Sequence, residues 1–227
     1  EILIGLVGSE MCIRDRGKAE MVDNLRELGI KVVVVKGPKS IADVKENVKL
    51  IAKTLGEEDK GNLMIAKMDD KLAEIKEKVD NIKPERRKKL VLISLMTSYG
   101  GKGCTFDDIC KYAGVINGVS DAGLHNGQLL TKEMLVDINP DLLIMPVYND
   151  HKTFDIEKYN KEFLEDPALK TLNAVKEKRF FYPREGYIYN SSQDIVFGVQ
   201  EVARAAYGSL FDQPENCHIS VVAEVEK

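Results

Sequence analysis

Between Asp59 and Ile82 the chain has no proline and a single glycine, Gly61. Its apolar residues Ile65, Met68, Leu72, Ile75, Val79 and Ile82 recur at spacings of 3, 4, 3, 4 and 3. That periodicity predicts one helix carrying one apolar stripe, with lysine, glutamate and aspartate on its other faces. At 1.5 Å per residue such a helix is about 36 Å long, roughly the span of a small domain. A stripe of about three heptads is marginal for a coiled coil. The reading is therefore a helix laid along two neighbouring packing units, stopped by Pro84, which disfavours helical backbone in the residue before it.

Strand and helix patterns alternate on both sides of this helix. Ile2–Val7 reads as a strand, Ala19–Leu28 as a helix, and the valine run of Lys31–Val35 as a strand buried on both faces. Ser40 is the expected N-cap of the next helix, with Asp43 in the position of a capping-box acid. In that helix Ile41, Val44, Val48, Ile51 and Leu55 form one stripe, closed by Gly56. After Pro84, strands are expected at Leu90–Met96, Asp141–Val147 and Arg179–Tyr182. Helices are expected at Thr105–Tyr112 with Thr105 as N-cap, Thr131–Ile138, Phe154–Leu164 and Asp194–Tyr207, with Ser191 and Ser192 as candidate caps of the last. Such alternation predicts an α/β fold with a mainly parallel sheet. Only two strands precede the long helix, whereas a stable α/β sheet normally has about four to six, so either strands join from elsewhere or an N-terminal portion of the first lobe is absent from this sequence. The expected division is 1–57 as the remnant of an N-terminal α/β lobe, 58–83 as the connecting helix, 84–211 as a C-terminal α/β lobe and 212–227 as a tail.

Composition excludes several classes. Hydrophobic residues make up 44% of the 227 and charged residues 31%, enough for a sizeable core and unlike a disordered chain. The net charge of −4 argues against non-specific nucleic-acid binding, which needs a basic face. The basic run Lys83–Lys89 has no interleaved aromatic residues and reads as a solvated helix end. No apolar stretch is long enough to cross a bilayer. Cys12, Cys104, Cys110 and Cys217 form no CxxC pair, and no disulfide scaffold is needed at this length.

The chemistry-bearing motifs are few. Gly100–Gly103 follows a strand and precedes a helix, where phosphates bind, but it lacks the spacing of a P-loop or a dinucleotide fingerprint. Its ordinary reading is a tight connection, and its sharper one a ligand-facing loop at the carboxyl end of a strand. Tyr99 and Tyr148 both follow expected strands, and Arg184, Tyr187 and Tyr189 form a candidate aromatic and cationic wall. His125, His151 and His218 are scattered, and no metal or nucleophile motif is present.

Several blocks, in order, resemble a known family. Thr105-Phe106-Asp107-Asp108-Ile109, then Tyr112-Ala113-Gly114 and Asn117, is similar to a block of the substrate-binding proteins of iron–siderophore, haem and cobalamin ABC importers. So are Leu130–Leu135 with Asn139–Ile144, Leu172–Lys176 before Arg179-Phe180-Phe181, Tyr189–Phe211, and upstream Leu25–Lys39. The resemblance covers the chain from about Lys18 to Phe211, with two departures: several strands that open the family's first lobe are not present here, and Met11–Arg16 fits neither the family nor the local periodicity, resembling translated sequencing adapter. It implies two Rossmann-like α/β lobes with mainly parallel sheets joined by one long helix, with ligand held between them. It implies a non-enzymatic role: capture of an iron(III)-siderophore, haem or cobalamin-type chelate outside the cytoplasm, and delivery to a membrane permease. No resident cofactor or metal is implied, and a monomer is expected. In that family a glutamate on each lobe docks on the permease, which makes Glu133 the expected contact of the C-terminal lobe. Tyr99, Tyr148, Arg184 and Tyr187 are the expected ligand-binding residues, chosen by position in the chain. The signal segment of an extracytoplasmic protein or lipoprotein is expected upstream of this sequence. The alternative is an enzyme on a related two-lobed scaffold, a metal chelatase or nitrogenase-like protein, using His151 and Cys104.

Overall fold

The computed structural model describes residues 2–6, 16–95, 98–147, 154–184 and 186–222. The chain opens with strand β1 (Ile2–Leu6), helix α1 (Arg16–Glu27) and strand β2 (Lys31–Val35). The strands pair in parallel, Ile2 opposite Lys31 through Leu6 opposite Val35. The expectation that the valine run is buried on both faces is met only in part. Val35 is buried, Val32 and Val33 are half-buried, and Val34 is exposed. Two-sided burial needs layers on both faces of a sheet, and among the described residues β1 is the only strand paired with β2.

Helix α2 (Ile41–Leu55) starts as its sequence predicts. The Ser40 side chain accepts the Asp43 N–H at 3.1 Å, and the Asp43 carboxylate accepts the Lys39 N–H at 2.9 Å. Ile41 and Val44 are buried, while the far end of the stripe is released, with Leu55 exposed. Gly56, at φ 70°, ends the helix, and α3 (Glu58–Asp80) begins two residues later. The two helices therefore form a hairpin. Its contact is close: a methyl group built on Gly61 would lie 2.4 Å from Ala52 Cβ. Helix α3 is the long helix read from the sequence, and Met68, Leu72, Ile75 and Val79 of its stripe are buried. Each such side chain stabilises the fold by about 1.5–3 kcal/mol relative to leaving it exposed.

After a 3-10 turn at Pro84–Arg86, four strands form a second sheet in the order β4-β3-β5-β6. These are β3 (Lys89–Leu92), β4 (Ile116–Asn117), β5 (Leu142–Ile144) and β6 (Phe180–Phe181), and every pairing is parallel. The alternation of side chains across the pleat splits the core in two. Leu90, Leu92, Leu142 and Ile144 face a core built from α3, α4 (Thr105–Tyr112) and α9 (Ile195–Tyr207). Val91, Ile93, Leu143 and Met145 face the other core. That core is built from α5 (Gly118–Asp121), α6 (Lys132–Ile138), α7 (Ile156–Glu165) and α8 (Asn173–Lys176). A sheet covered on both faces explains the uninterrupted apolar runs of β3 and β5.

Three local expectations are corrected. The strands are shorter than their apolar runs, because Ile93 and Met145 stay buried beyond the last paired residue. The N-cap of α4 is Cys104 rather than Thr105, and the Thr105 hydroxyl is used elsewhere. The N-cap of α9 is Asp194 rather than a serine, and its side chain caps nothing in the helix. The segment 212–222 contains no strand; Ile219 is buried in the core.

Candidate functional site

In open parallel α/β sheets, ligands bind outside the carboxyl ends of the strands. Here that rim carries Ser94 after β3, Asn117 at the end of β4, Pro146 and Val147 after β5, and Tyr182–Arg184 with Gly186–Asn190 after β6. The rim loops are fixed by named bonds. Asn117 is buried: its Nδ2 donates to Gly100 O at 2.8 Å and to Asp107 Oδ1 at 3.1 Å, while its Oδ1 caps the start of α5. Burial pushes the Asp107 carboxyl up, but Lys111, Ser120 and Asn117 outweigh it, and the group titrates below its ordinary range. Lys111 Nζ lies 2.9 Å from Asp107 Oδ2.

The glycine loop takes its ordinary reading. Lys102 N–H donates to Leu124 O, and Gly127 N–H donates to Ser98 O at 2.7 Å. A methyl on Gly101 would lie 2.6 Å from the His125 carbonyl carbon. Glycine is needed there for close backbone approach between two loops.

Tyr99 and Tyr189 are brought together, with ring centroids 5.6 Å apart and planes tilted by 37°. The Tyr99 hydroxyl pairs with Thr105 Oγ1 at 2.8 Å, and that of Tyr189 bonds the Ser94 side chain. Burial pushes both phenols up, so both are neutral at physiological pH. The pair therefore carries no phenolate, and each hydroxyl is already bonded within the protein. The sequence marks Tyr189 only as part of a candidate wall, and its partnership with Tyr99 spans 90 residues with no local signal.

Arg184 and Tyr187 are occupied within the protein. Arg184 donates to both oxygens of Glu201 and to the carbonyls of Gln213 and Pro214, and its guanidinium lies 5.9 Å from the Tyr187 ring centre. Tyr187 is buried against Phe197, and its hydroxyl donates to Cys217 O at 3.2 Å. Gly198 of α9 permits this packing, because a methyl there would lie 2.5 Å from Tyr187 O. Glu201, which the sequence reading did not single out, is fully buried; burial raises its pKa, but Arg204 and Arg184 hold it below the ordinary value. A carboxylate mid-helix on a Val- and Ala-rich segment is the one sequence signal that points to it.

Glu133 stands exposed in the first turn of α6, its carboxyl held low by its own backbone N–H and Thr131. Tyr148 and His151, like Cys12, lie outside the described residues. Cys104 is buried, with its thiol on Gly101 O at 3.2 Å. Among the described residues no three His, Cys, Asp or Glu side chains are placed to hold a metal ion, and no helix is long and apolar enough to cross a membrane.

A model of the family described as "Periplasmic binding protein" matches residues 13–185. An uncharacterized ABC transporter substrate-binding lipoprotein, YvrC of Bacillus subtilis, is 24% identical over 201 residues. That match takes in 86% of this chain and 60% of the relative, so the chain spans about 60% of the curated relative's length. Among solved structures, a possible iron-binding periplasmic solute-binding protein from Staphylococcus epidermidis has a TM-score of 0.71 at 19% identity, over 91% of this chain and 76% of that one. The apo periplasmic heme-binding protein RhuT from Roseiflexus sp. RS-1 has a TM-score of 0.70 at 18% identity, over 83% of this chain and 71% of that one. These likenesses are of fold. With the match extending over most of its length, the chain belongs to the periplasmic binding protein family.

Proposed function

We propose that this chain is the solute-binding part of an ABC importer that captures a metal chelate outside the cytoplasm and delivers it to a membrane permease. The observation that carries the reading is the neutral Tyr99–Tyr189 pair at the carboxyl rim of the parallel sheet. Half-buried aromatic faces suit the flat or apolar surface of a ligand such as haem, a corrinoid or a ferric siderophore. Two proteins of similar fold, a periplasmic heme-binding protein and a possible iron-binding protein, support that ligand class.

In this reading Tyr99 and Tyr189 face the ligand, Tyr148 is a further ligand contact chosen by its place in the sequence, and Arg184 and Tyr187 hold the wall from behind. The lobes divide at 1–57 and 84–211, with 58–83 as the connecting helix and 212–227 as a tail, and the ligand lies in the cleft between the lobes. Glu133 is the permease contact, supported by its exposure. The protein acts as a monomer and catalyses no reaction.

The test is calorimetric titration of the full-length protein with haem, cobalamin and representative ferric siderophores. Saturable one-to-one binding of one of these, weakened by Tyr189→Ala, is expected. No binding to any of the three classes refutes the reading.

A further inference from the structure

After α9 and a 3-10 turn at Gly208–Phe211, the chain runs back across three separate elements and is anchored to each. Gln213 Nε2 donates to Phe197 O at 3.2 Å and to Glu201 Oε2 at 3.1 Å, tying the segment to α9. The carbonyls of Gln213 and Pro214 accept from Arg184 Nη1 at 3.0 and 2.8 Å, and Cys217 O accepts from the Tyr187 hydroxyl, tying it to the loop after β6. Asp194, at the far end of that loop, accepts Ile219 N–H at 2.8 Å, and its other oxygen lies 2.6 Å from His218 Nδ1. Finally Ser220 O accepts from Lys67 Nζ of α3 at 2.6 Å.

One buried group organises the near end. Glu201 Oε1 accepts Arg184 N–H at 2.9 Å and Arg204 Nη2 at 2.8 Å. Its Oε2 accepts Arg184 Nη2 at 3.0 Å and Gln213 Nε2. A fully buried carboxylate is stable only when its lone pairs are filled this way. The same carboxylate thereby fixes both Arg184 in the rim loop and Gln213 at the start of the returning segment.

We propose that residues 212–220 are a strap coupling the Tyr189 rim loop to helix α3, and that Glu201 is the positioning residue at its near end. The rim loop then has no independent position. It is held at Arg184, Tyr187 and Asp194 by a segment whose other end is on α3, so a displacement of α3 is transmitted to Tyr189. The inference rests on the reading of Tyr99 and Tyr189 as the ligand wall, and adds what sets the placement of Tyr189.

The test is hydrogen exchange on the full-length protein without ligand, comparing wild type, Lys67→Met, Lys67→Arg and Glu201→Gln. Lys67 is exposed on α3 and contacts none of the rim residues through any bond above. Lys67→Met is expected to speed exchange of the amides at 186–190 by about fivefold, the effect of losing one tie on a local opening equilibrium. Lys67→Arg, which retains a donor, is expected to stay near wild type. Glu201→Gln is expected to speed exchange in 186–190 and 212–220 together. Acceleration by Lys67→Met confined to 218–222 overturns the proposal, as does uniform acceleration over the whole chain. Because no ligand is present, such a result leaves the ligand assignment standing. Loss of that assignment in the titration leaves the coupling measurement intact.

Discussion

Replacing Gly61 with alanine sets two effects of opposite sign against each other. Within a helix, alanine is favoured over glycine by about 0.5–1 kcal/mol. Judged as one more residue of a long charged helix, Gly61→Ala should therefore stabilise the protein. The structure reverses the sign. The new methyl would lie 2.4 Å from Ala52 Cβ, against about 3.5–4.0 Å for an optimal carbon–carbon contact. Relief requires α2 and α3 to part by about 1 Å, and overpacking of this kind costs about 1–3 kcal/mol. The expected balance is a net loss of about 1 kcal/mol, or about 2–4 °C in Tm for a chain of this size. Urea and thermal unfolding followed by circular dichroism measure it. The decisive arm is Gly61→Ala in an Ala52→Gly background. With the opposing methyl removed, the propensity gain should reappear and the substitution should stabilise by about 0.5–1 kcal/mol. A Gly61→Ala protein more stable than wild type, or no difference between the two backgrounds, refutes the helical hairpin contact.

Ile75→Ala should cost about 2–5 kcal/mol by denaturant titration, because Ile75 is buried where α3 meets the C-terminal core; a loss under about 0.5 kcal/mol would place the stripe on the surface. Asp107 and Glu201 are both held below their ordinary values of 3.8 and 4.5. Each therefore contributes stability that is complete above that range and lost as the pH falls through the depressed folded values. Unfolding followed from pH 6 to pH 2 should show an acid limb that is shallower in Glu201→Gln, and an unchanged limb would remove Glu201 from the account. Glu133→Ala should leave unfolding and ligand titration unchanged while reducing uptake in a reconstituted transporter; unchanged uptake would end the docking assignment.

Much of the fold is legible in the sequence because it is written locally. The helix expected over Asp59–Ile82 is found at Glu58–Asp80, within a residue or two at each end. The Ser40–Asp43 cap and the Gly56 stop are both found where side-chain chemistry places them. These features depend on bonds between residues three or four apart. The β2 run misleads for the opposite reason. Its valines report a preference for two-sided cover, while the cover itself is supplied by other parts of the chain, and Val34 is exposed.

The candidate site divides the same way. The sequence by itself determined that loops follow β3, β5 and β6 and that tyrosines populate them. It did not determine which tyrosines meet. Tyr99 and Tyr189 come together only because β3 and the loop after β6 converge at one rim of the parallel sheet. Arg184, chosen by position as a ligand contact, instead finds Glu201 one turn-and-helix away and the carbonyls of Gln213 and Pro214 about 30 residues on. Local hydrogen bonding encodes a residue's element, and that is readable from spacing. A polar side chain's partner is fixed by where distant segments cross, and for Thr105, Asn117, Arg184 and Glu201 only the tertiary structure decides it.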